Sequence, residues 1–477
     1  MKNPISKVLK KYNDSNIVIR ASFWFLLVTI IDKGISVITQ PIVNRILSIE
    51  EVGVFGVYMS WNAIFSVLST FNLFGGVLEV YLTKEENNKK NIIAYLCSLC
   101  IGVSGVFWLF VLCLGDLFSS LLNLNKEYIA LMAISVVSEA IIQFWTVPKR
   151  FVYSYKAYGI MVVSLFFSKS VLSVVLSYYF SFDRVFGRIA GLTFPSACVA
   201  IVLLFFIFHS VEWQDTFKYW KWGLLFNIPL IPHYLCSILL ASSDKVMIEM
   251  FDSKVSAGLY TVAYSYSSLA LIVFNALNSA YNPMSMKCIR DKNYSRLSKS
   301  TNVLVFWSVV FSIYMMLFAP EGLLLLGGRE YVKSAHIVPV LIAGIFFSAF
   351  YFVFSNVEFV YEKTKMIFPI TLVGAVLNIV LNYLLISRIG YEVAAYTTFV
   401  GYIVVAIAHY IMAKKIIGFD IYDVKCIAAF VLLLVTGAAG TIVLCRMEGF
   451  IRYILIVILS IVIGLYIYKN KESYLSF

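Results

Sequence analysis

Two charged residues, Asp32 and Lys33, interrupt an apolar run that begins near Ala21. A lysine at the centre of a membrane helix costs about 3 kcal/mol on insertion scales, and ionisable residues at that depth usually face a pathway. The lysine ammonium is a compact point charge, which suits a phosphate. On a helix the two side chains point about 100° apart. One of the two residues is therefore expected to line a cavity while the other packs against a neighbouring helix.

Polar residues repeat at helical spacing in the first, second, seventh and eighth apolar segments of the chain. They are Thr29, Lys33, Ser36, Gln40 and Asn44; Asn62, Ser66, Ser69 and Asn72; His233, Ser237 and Asp244; and Tyr264, Ser268, Asn275, Asn278 and Asn282. Each set lies on one helix face, which predicts a central water-filled cavity between two lobes. In the competing interpretation, these residues only join helices through hydrogen bonds.

The candidate site residues follow from these stripes and from the other buried charges. The candidate substrate-binding residues are Lys33, Arg20, Arg45, Gln40, Asn62, Asn275 and Asn278. Five more residues are assigned either to ion coupling or to structure: Asp32, Glu139, Lys169, His233 and Asp244. Glu139 and Lys169 are expected to pair with each other, with a structural role favoured over a transport role. Arg20 and Arg45 lie toward opposite ends of the first helix, where they would receive an anion on its way in and out.

The composition predicts a polytopic membrane protein. Of 477 residues, 61% are hydrophobic and 13% are charged, whereas a soluble domain is nearer half apolar and a quarter charged. The net charge of +12 does not indicate a nucleic-acid partner, because the basic residues are scattered between apolar segments. Cys97 and Cys100 form a CxxC pair inside an apolar run and are interpreted as core residues. No cleavable signal peptide is expected, since the first residues are polar.

The sequence contains no motif for catalysis or for a cofactor. Phosphate-binding loops, zinc-protease motifs and nucleophile elbows are not found, so no cofactor, metal or catalytic residue is expected. The longest connections run to roughly fifteen residues, too short for a folded extramembrane domain. This weakens the hypothesis of a membrane enzyme of glycan assembly, and it places any function inside the helices.

Fourteen apolar segments are long enough to cross a bilayer as helices. They are 21–43, 52–80, 92–114, 128–147, 160–180, 188–209, 223–250, 257–282, 300–320, 335–355, 366–386, 392–412, 426–445 and 450–468. With the N-terminus inside, the cytoplasmic segments carry 25 Lys and Arg residues and the outer segments carry 11, of 38 in the chain. This bias predicts that both termini face the cytoplasm.

Two short matches indicate an internal repeat. The stretch from Ser48 matches the stretch from Ser253, with Gly53 opposite Gly258, and a second match lies at nearly the same offset. Parallel repeats are a known way to build transporters. We expect an N-lobe over 1–209, a C-lobe over 210–425, and two additional helices with a cytoplasmic tail over 426–477.

The opening of the chain resembles the polysaccharide (O-antigen) flippases of the MOP exporter superfamily, the Wzx type. A first helix with a proline near its end leads into an Arg-Ile-Leu-Ser segment and a Gly-x-Phe start of the second helix, at Pro41, Arg45–Ser48 and Gly53–Phe55. Further resemblance lies around Asp244, Gly258 and Tyr260, and around Asn378, Asn382 and Gly390. The chain has "YEVAA" at Tyr391 where the family often has a Gly-Ala-Ala turn.

The resemblance implies an all-α fold with two pseudo-symmetric six-helix lobes, plus two C-terminal helices that shelter a lipid tail. It implies a bacterial inner-membrane protein without enzymatic activity. Its substrate would be a polysaccharide repeat unit linked to undecaprenyl pyrophosphate, moved to the outer leaflet by alternating access, and its partners would include membrane lipids and other polysaccharide assembly proteins. A multidrug exporter of the same superfamily remains an alternative, although an acidic cavity would then be expected rather than Lys33.

Overall fold

A computed structural model describes residues 17–84, 88–445 and 449–469, and all regular structure in these ranges is helical. The helices are α1 (Ile17–Ile46), α2 (Ile49–Thr70), α3 (Gly76–Lys84), α4 (Lys89–Cys113), α5 (Gly115–Leu122), α6 (Lys126–Phe151), α7 (Tyr155–Tyr179), α8 (Arg184–Phe208), α9 (Thr216–Asn227), α10 (Ile231–Phe251), α11 (Lys254–Ser268), α12 (Ala270–Arg290), α13 (Tyr294–Leu317), α14 (Ala319–Leu326), α15 (Val338–Val360), α16 (Ile367–Ile389), α17 (Val393–Ile417), α18 (Val424–Leu444) and α19 (Gly449–Lys469). Short 3-10 turns precede α10, α15 and α16.

Fourteen helical stretches in the described ranges are long and apolar enough to cross a membrane. Only helices and closed barrels satisfy the backbone polar groups in hydrocarbon, which is why such apolar sequences become helices. The predicted all-α class and the count of fourteen spans are confirmed. The sequence-based expectations for the two termini, for residues 85–87 and for residues 446–448 lie outside the described residues.

The second span is shorter than its predicted segment, 52–80. Helix α2 ends at Thr70 because Phe71 and Asn72 adopt left-handed backbone angles, with φ of 51° and 52°. The Thr70 hydroxyl accepts a hydrogen bond from the Asn72 N–H at 3.1 Å, which stabilises this end. A separate short helix, α3, then takes up the remaining apolar residues.

The chain forms two compact units. The first consists of the residues up to Glu51 together with Trp61–Leu235, and the second consists of Val52–Ser60 together with Cys236 to the end. In the first unit α1 packs on α7, while α6 and α7 pack on α8. In the second unit α15 packs on α17 and α12, and α13 packs on α18.

The two stretches matched by the predicted repeat begin helices in the same way. Ser48 caps α2 by accepting the Glu51 N–H at 3.2 Å, and Ser253 caps α11 by accepting the Ser256 N–H at 3.1 Å. Such a serine cap satisfies a backbone donor that would otherwise lack a partner at the helix start. The sequence match therefore corresponds to one local structure that occurs twice.

Within the second unit, the matched glycines are in contact with each other. A Cβ on Gly53 would lie 2.0 Å from the Lys254 carbonyl oxygen and 2.9 Å from the Gly258 nitrogen. A Cβ on Gly56 would lie 2.2 Å from the Thr261 hydroxyl. The start of α2 and the start of α11 therefore approach at backbone distance, as small residues allow in membrane proteins.

We expect Gly53→Ala to destabilise the protein by about 2 kcal/mol or more, because the clashing atoms belong to the backbone and cannot rotate away. The measurement is the midpoint of thermal unfolding in detergent. Gly102→Ala in α4 is the matched control, since nothing lies within 4 Å of its added Cβ and alanine favours a helix by about 1 kcal/mol over glycine. Equal midpoints for the two variants would show that the α2–α11 contact is not tight.

Candidate functional site

The charged residues of α1 lie together and are accessible. Lys33 Nζ is 3.8 Å from Asp32 Oδ2, and the Lys33 side chain is 53% exposed against 17% for Asp32. Thr29 and Ser36, on the same stripe, are also exposed, and their hydroxyls donate to the carbonyls one turn earlier. The hydroxyls of Thr29 and Ser36 are therefore hydrogen-bonded within their own helix. Within the described ranges, the ammonium of Lys33 has one ion-pair partner, Asp32 at 3.8 Å, so it retains donors for another group.

The polar stripe of α1 does not stay exposed along its whole length. Gln40 is half-buried, and Asn44 is 3% exposed. Arg20 is half-buried, with a buried Nε that has no hydrogen-bond partner. Arg45 is exposed, and its Nη1 donates to the Pro41 carbonyl at 2.9 Å. The accessible part of the stripe is therefore centred on Lys33.

A second group of charges lies deeper in the first unit. The Lys169 ammonium of α7 forms an ion pair with Glu139 Oε1 of α6, so the two residues expected to pair are in contact. The Ser196 hydroxyl of α8 donates to the same carboxylate oxygen at 2.8 Å. Lys169 also interacts electrostatically with Asp32. These contacts join the pair to the charged residues of α1.

Ser196 is a member of this group that the sequence analysis did not identify. A serine in an apolar helix is common, and only its position opposite Glu139 gives it a role. On α1, Asp32 and Lys33 differ in exposure, although their charged atoms lie 3.8 Å apart.

In the second unit, Asp244 of α10 is the centre of a hydrogen-bonded cluster, which we call the Asp244 cluster. Its carboxylate is 1% exposed. It accepts from the hydroxyls of Tyr260 and Thr398 at 2.5 Å and 2.6 Å, and from the amides of Asn382 and Asn378 at 2.8 Å and 3.4 Å. Four donors on α11, α16 and α17 thus compensate the buried carboxylate.

The asparagines of the Asp244 cluster are themselves fixed by hydrogen bonds. Asn378 Oδ1 accepts from Ser243 at 3.2 Å, and its amide also donates to Thr398 at 2.9 Å. Thr397 donates to Asn382 Oδ1. Asn378 and Asn382 entered the sequence analysis only through the family resemblance. Their spacing of four residues inside an apolar segment was a usable signal, because it places both on one helix face.

The remaining predicted site residues occupy different environments. Asn275 is exposed, whereas Asn278 is 9% exposed and donates to the Ala349 carbonyl of α15 at 3.2 Å. Asn62 and His233 are half-buried in the first unit, and the His233 ring lies 6.0 Å from the Tyr234 ring. Asn275 and Asn278 belong to the second unit, whereas the other predicted binding residues belong to the first. No group of three or more His, Cys, Asp or Glu fit for a metal occurs in the described ranges.

The chain matches two family models. The model described as polysaccharide biosynthesis protein matches residues 18–289, and the model described as MatE matches residues 229–384. Among curated proteins, an Lsg locus protein of Haemophilus influenzae is 21% identical over 422 residues, which cover 84% of this chain and 98% of that protein.

Solved transporters share the fold. A structure of the lipid II flippase MurJ in an inward closed conformation superposes with a TM-score of 0.66 at 13% identity, over 93% of this chain and 98% of that one. An inward-facing multidrug resistance MATE family transporter of the MOP superfamily superposes with a TM-score of 0.60 at 12% identity, over 81% of this chain and 95% of that one. At these identities the likeness concerns the fold.

Proposed function

Because this chain belongs to the polysaccharide biosynthesis protein family and has the fold of MOP-superfamily transporters, we propose that it is a lipid-linked oligosaccharide flippase. Its substrate in this proposal is a polysaccharide repeat unit on undecaprenyl pyrophosphate. The protein moves this substrate from the inner to the outer leaflet of the bacterial cytoplasmic membrane by alternating access. There it delivers the substrate to other polysaccharide assembly proteins. The family membership and the fold with fourteen apolar helices support this proposal.

The observation that carries the proposal is the exposed cation of Lys33 within a membrane-spanning helix. Its ammonium lies 3.8 Å from Asp32, too far for a hydrogen bond, so its donors are available to the oxygens of a pyrophosphate. A lysine kept in a membrane helix at a cost of about 3 kcal/mol indicates a functional use. Asp32 reduces the net charge when the substrate is absent.

The other binding residues of the proposal differ in how freely they can act. Arg20 and Arg45 lie roughly 20 Å and 18 Å from Lys33 along the helix axis, so they suit the pyrophosphate before and after it passes Lys33. Gln40, Asn62 and the exposed Asn275 offer amides to sugar hydroxyls. Asn278 has its amide engaged with Ala349, which leaves its Oδ1 as the group available to substrate.

The driving force in this proposal has two sources. Moving each uncompensated negative charge outward is favoured by about 2.3 kcal/mol per 100 mV, because the cytoplasm is electrically negative. The Asp244 cluster supplies a buried carboxylate that accepts from two hydroxyl groups and two amide N–H groups, and we assign to this carboxylate the exchange of a proton or a small cation. Lys169 and Glu139 form a mutually compensated pair, and we assign them the structural role of positioning Asp32.

A multidrug exporter is the second candidate, because the MatE model matches residues 229–384. The test uses purified protein in lipid nanodiscs, with a lipid pyrophosphate and a cationic dye as alternative ligands. Binding of the lipid pyrophosphate, weakened by salt as expected for an anion on Lys33, supports the flippase. Saturable binding of the dye without binding of the lipid pyrophosphate would refute the flippase and support the multidrug exporter.

The orientation of the chain follows from the charge bias and has its own test. In a background without native cysteines, Asp291→Cys between α12 and α13 should react with an impermeant maleimide only after the cytoplasmic side is opened. Glu330→Cys, in the exposed turn before α15, should react in intact cells. Reaction of Asp291→Cys in intact cells would invert the topology and the proposed direction of transport.

A further inference from the structure

The second unit contains a buried titratable pair that takes no part in the Asp244 cluster. Glu358 of α15 and His409 of α17 are both 0% exposed, and His409 Nδ1 lies 2.6 Å from Glu358 Oε1. The Tyr351 ring stacks on the imidazole, with centroids 5.2 Å apart and planes 23° apart. Ionisable residues inside membrane segments are rare and usually functional.

Each partner also has a polar atom with no hydrogen bond. Both His409 Nε2 and Glu358 Oε2 are buried, and neither has a hydrogen-bond partner among the described residues. A buried polar atom without a partner costs free energy, and a purely structural pair would be expected to satisfy such atoms. The two free atoms leave room for a change in the number of bound protons.

The described groups that pack around the Tyr351 ring are uncharged. Tyr351 comes from α15 itself, and the apolar cluster around its ring includes Cys236 of α10, Ile370 and Phe368 of α16, and Tyr402 of α17. On the α12 side of α15, the amide of Asn356 donates to Asn282 and Ser285. Tyr422, between α17 and α18, donates to the Val353 carbonyl. In the described part of the chain, the ion-pair contact of Glu358 and His409 is with each other.

The short distance between the two atoms requires a proton between them. With one exchangeable proton bound, the pair is neutral overall, either as carboxylic acid with neutral imidazole or as carboxylate with imidazolium. In both forms Nε2 carries a hydrogen. Without that proton, Nδ1–H donates to the carboxylate, Nε2 is bare, and the pair has a net charge of −1. The loaded and unloaded forms thus differ by one proton and by one unit of charge.

We propose that Glu358 and His409 form a proton-binding site that holds one exchangeable proton while it is buried and releases it when water reaches it. On release, the hydrogen of Nε2 passes to a water molecule, and the shared proton settles on Nδ1. The products are one hydronium ion and a carboxylate–imidazole pair of charge −1, so charge and protons balance. The ligand of this site is a proton, since the space between the buried atoms is already filled by the pair itself.

The connection of this site to transport rests on the proposed function. Helix α17 carries both His409 and Thr398 of the Asp244 cluster. They are separated by three turns, roughly 16 Å along the axis. A tilt of α17 against α15 would hydrate the pair and also shift Thr398 against Asp244. The pair would then release its proton during the same movement that shifts Thr398 against Asp244.

Nuclear magnetic resonance of the intact protein tests the site without any transport substrate. The chain has four histidines, so ¹⁵N-histidine labelling in nanodiscs gives few signals, and loss of a signal in His409→Gln assigns it. We expect the Nε2 signal of His409 to change in one step when the pair gives up its proton as the pH is raised. In Glu358→Gln, which keeps the shape but removes the acid, this step should disappear. A His409 signal without a pH-dependent step, or a step unchanged in Glu358→Gln, would overturn the proposal.

Proton counting provides a second measurement in case Glu358→Gln does not fold. Glu358→Leu with His409→Leu removes both partners and leaves no unpaired charge. Between the acid and alkaline ends of the titration, this protein should release about one proton fewer than the wild type. His336→Gln, at a surface pair with Glu392, is the matched control and keeps the His409 step. Equal proton release by the double variant and the wild type would refute the site, whereas loss of flipping with the proton step intact would count against the proposed function alone.

Discussion

Lys33→Ala is expected to abolish surface display of the glycan, with a fall of at least about tenfold, while the amount of protein in the membrane stays near normal. A tenfold change corresponds to ~1.4 kcal/mol of lost binding, which is modest for an ammonium on a pyrophosphate. The fold should tolerate the change, because the lysine side chain is 53% exposed and its one ion-pair contact is 3.8 Å long. The measurement is glycan at the cell surface divided by protein in the membrane.

The chain offers a close control for this experiment. Lys126 also pairs with an aspartate, Asp116, at 2.5 Å, and its side chain is 56% exposed. Lys126→Ala therefore removes the same chemical group at similar exposure, and it should leave display unchanged. Lys33→Arg keeps the charge but changes the geometry, so partial display is expected. Full display with Lys33→Ala would remove Lys33 from the binding site.

Asp244→Ala is expected to cause the largest loss of stability, about 3 kcal/mol or more, because four buried donors lose their common acceptor. The two shortest hydrogen bonds to this carboxylate come from the hydroxyls of Tyr260 and Thr398. The measurement is the thermal unfolding midpoint of the purified protein, together with its abundance in membranes. Asp116→Ala is the control, since that carboxylate is 94% exposed and should change stability by no more than about 0.5 kcal/mol.

Asp244→Asn separates a coupling role from a structural one. The amide has nearly the same shape, and its oxygen still accepts from Tyr260 or Asn382, so abundance should approach that of the wild type. It carries no charge and does not take up a proton or a cation as a carboxylate does. We therefore expect normal abundance with reduced glycan display. Display that simply follows abundance in this variant would assign Asp244 to structure.

The number and type of the spans are predictable because they depend on hydrophobicity summed over about twenty residues. Their ends were less predictable, since they depend on single backbone angles. The end of α2 is set by Phe71 and Asn72 in the left-handed region, and phenylalanine gives no signal for that conformation. The tenth span was placed at 335–355, but α15 begins at Val338 and continues to Val360.

That shift of a few residues explains one missed pair. Glu358 falls outside the predicted segment, so it was treated as part of a connection and was not considered as a buried charge. His409 then had no evident partner. By contrast, Asp32, Glu139 and Lys169 lie well inside predicted segments. Glu139 and Lys169 carry opposite charges on neighbouring helices, so the sequence predicts them as a pair. Contacts between distant segments, such as Asp244 with Asn382, depend on packing that a single sequence does not encode locally.

The first turns of α2 limit how this chain can be cut and recombined. Residues 52–60 belong to the second compact unit, although most of the sequence around them belongs to the first. A chimera that joined residues 1–209 of this protein to the second half of a relative would bring a foreign α11 against Gly53 and Gly56. Matching such halves therefore requires that Val52–Ser60 be transplanted with the second half. The same requirement applies when the two halves are expressed as separate fragments. A second fragment without residues 52–60 would lack part of its own compact unit.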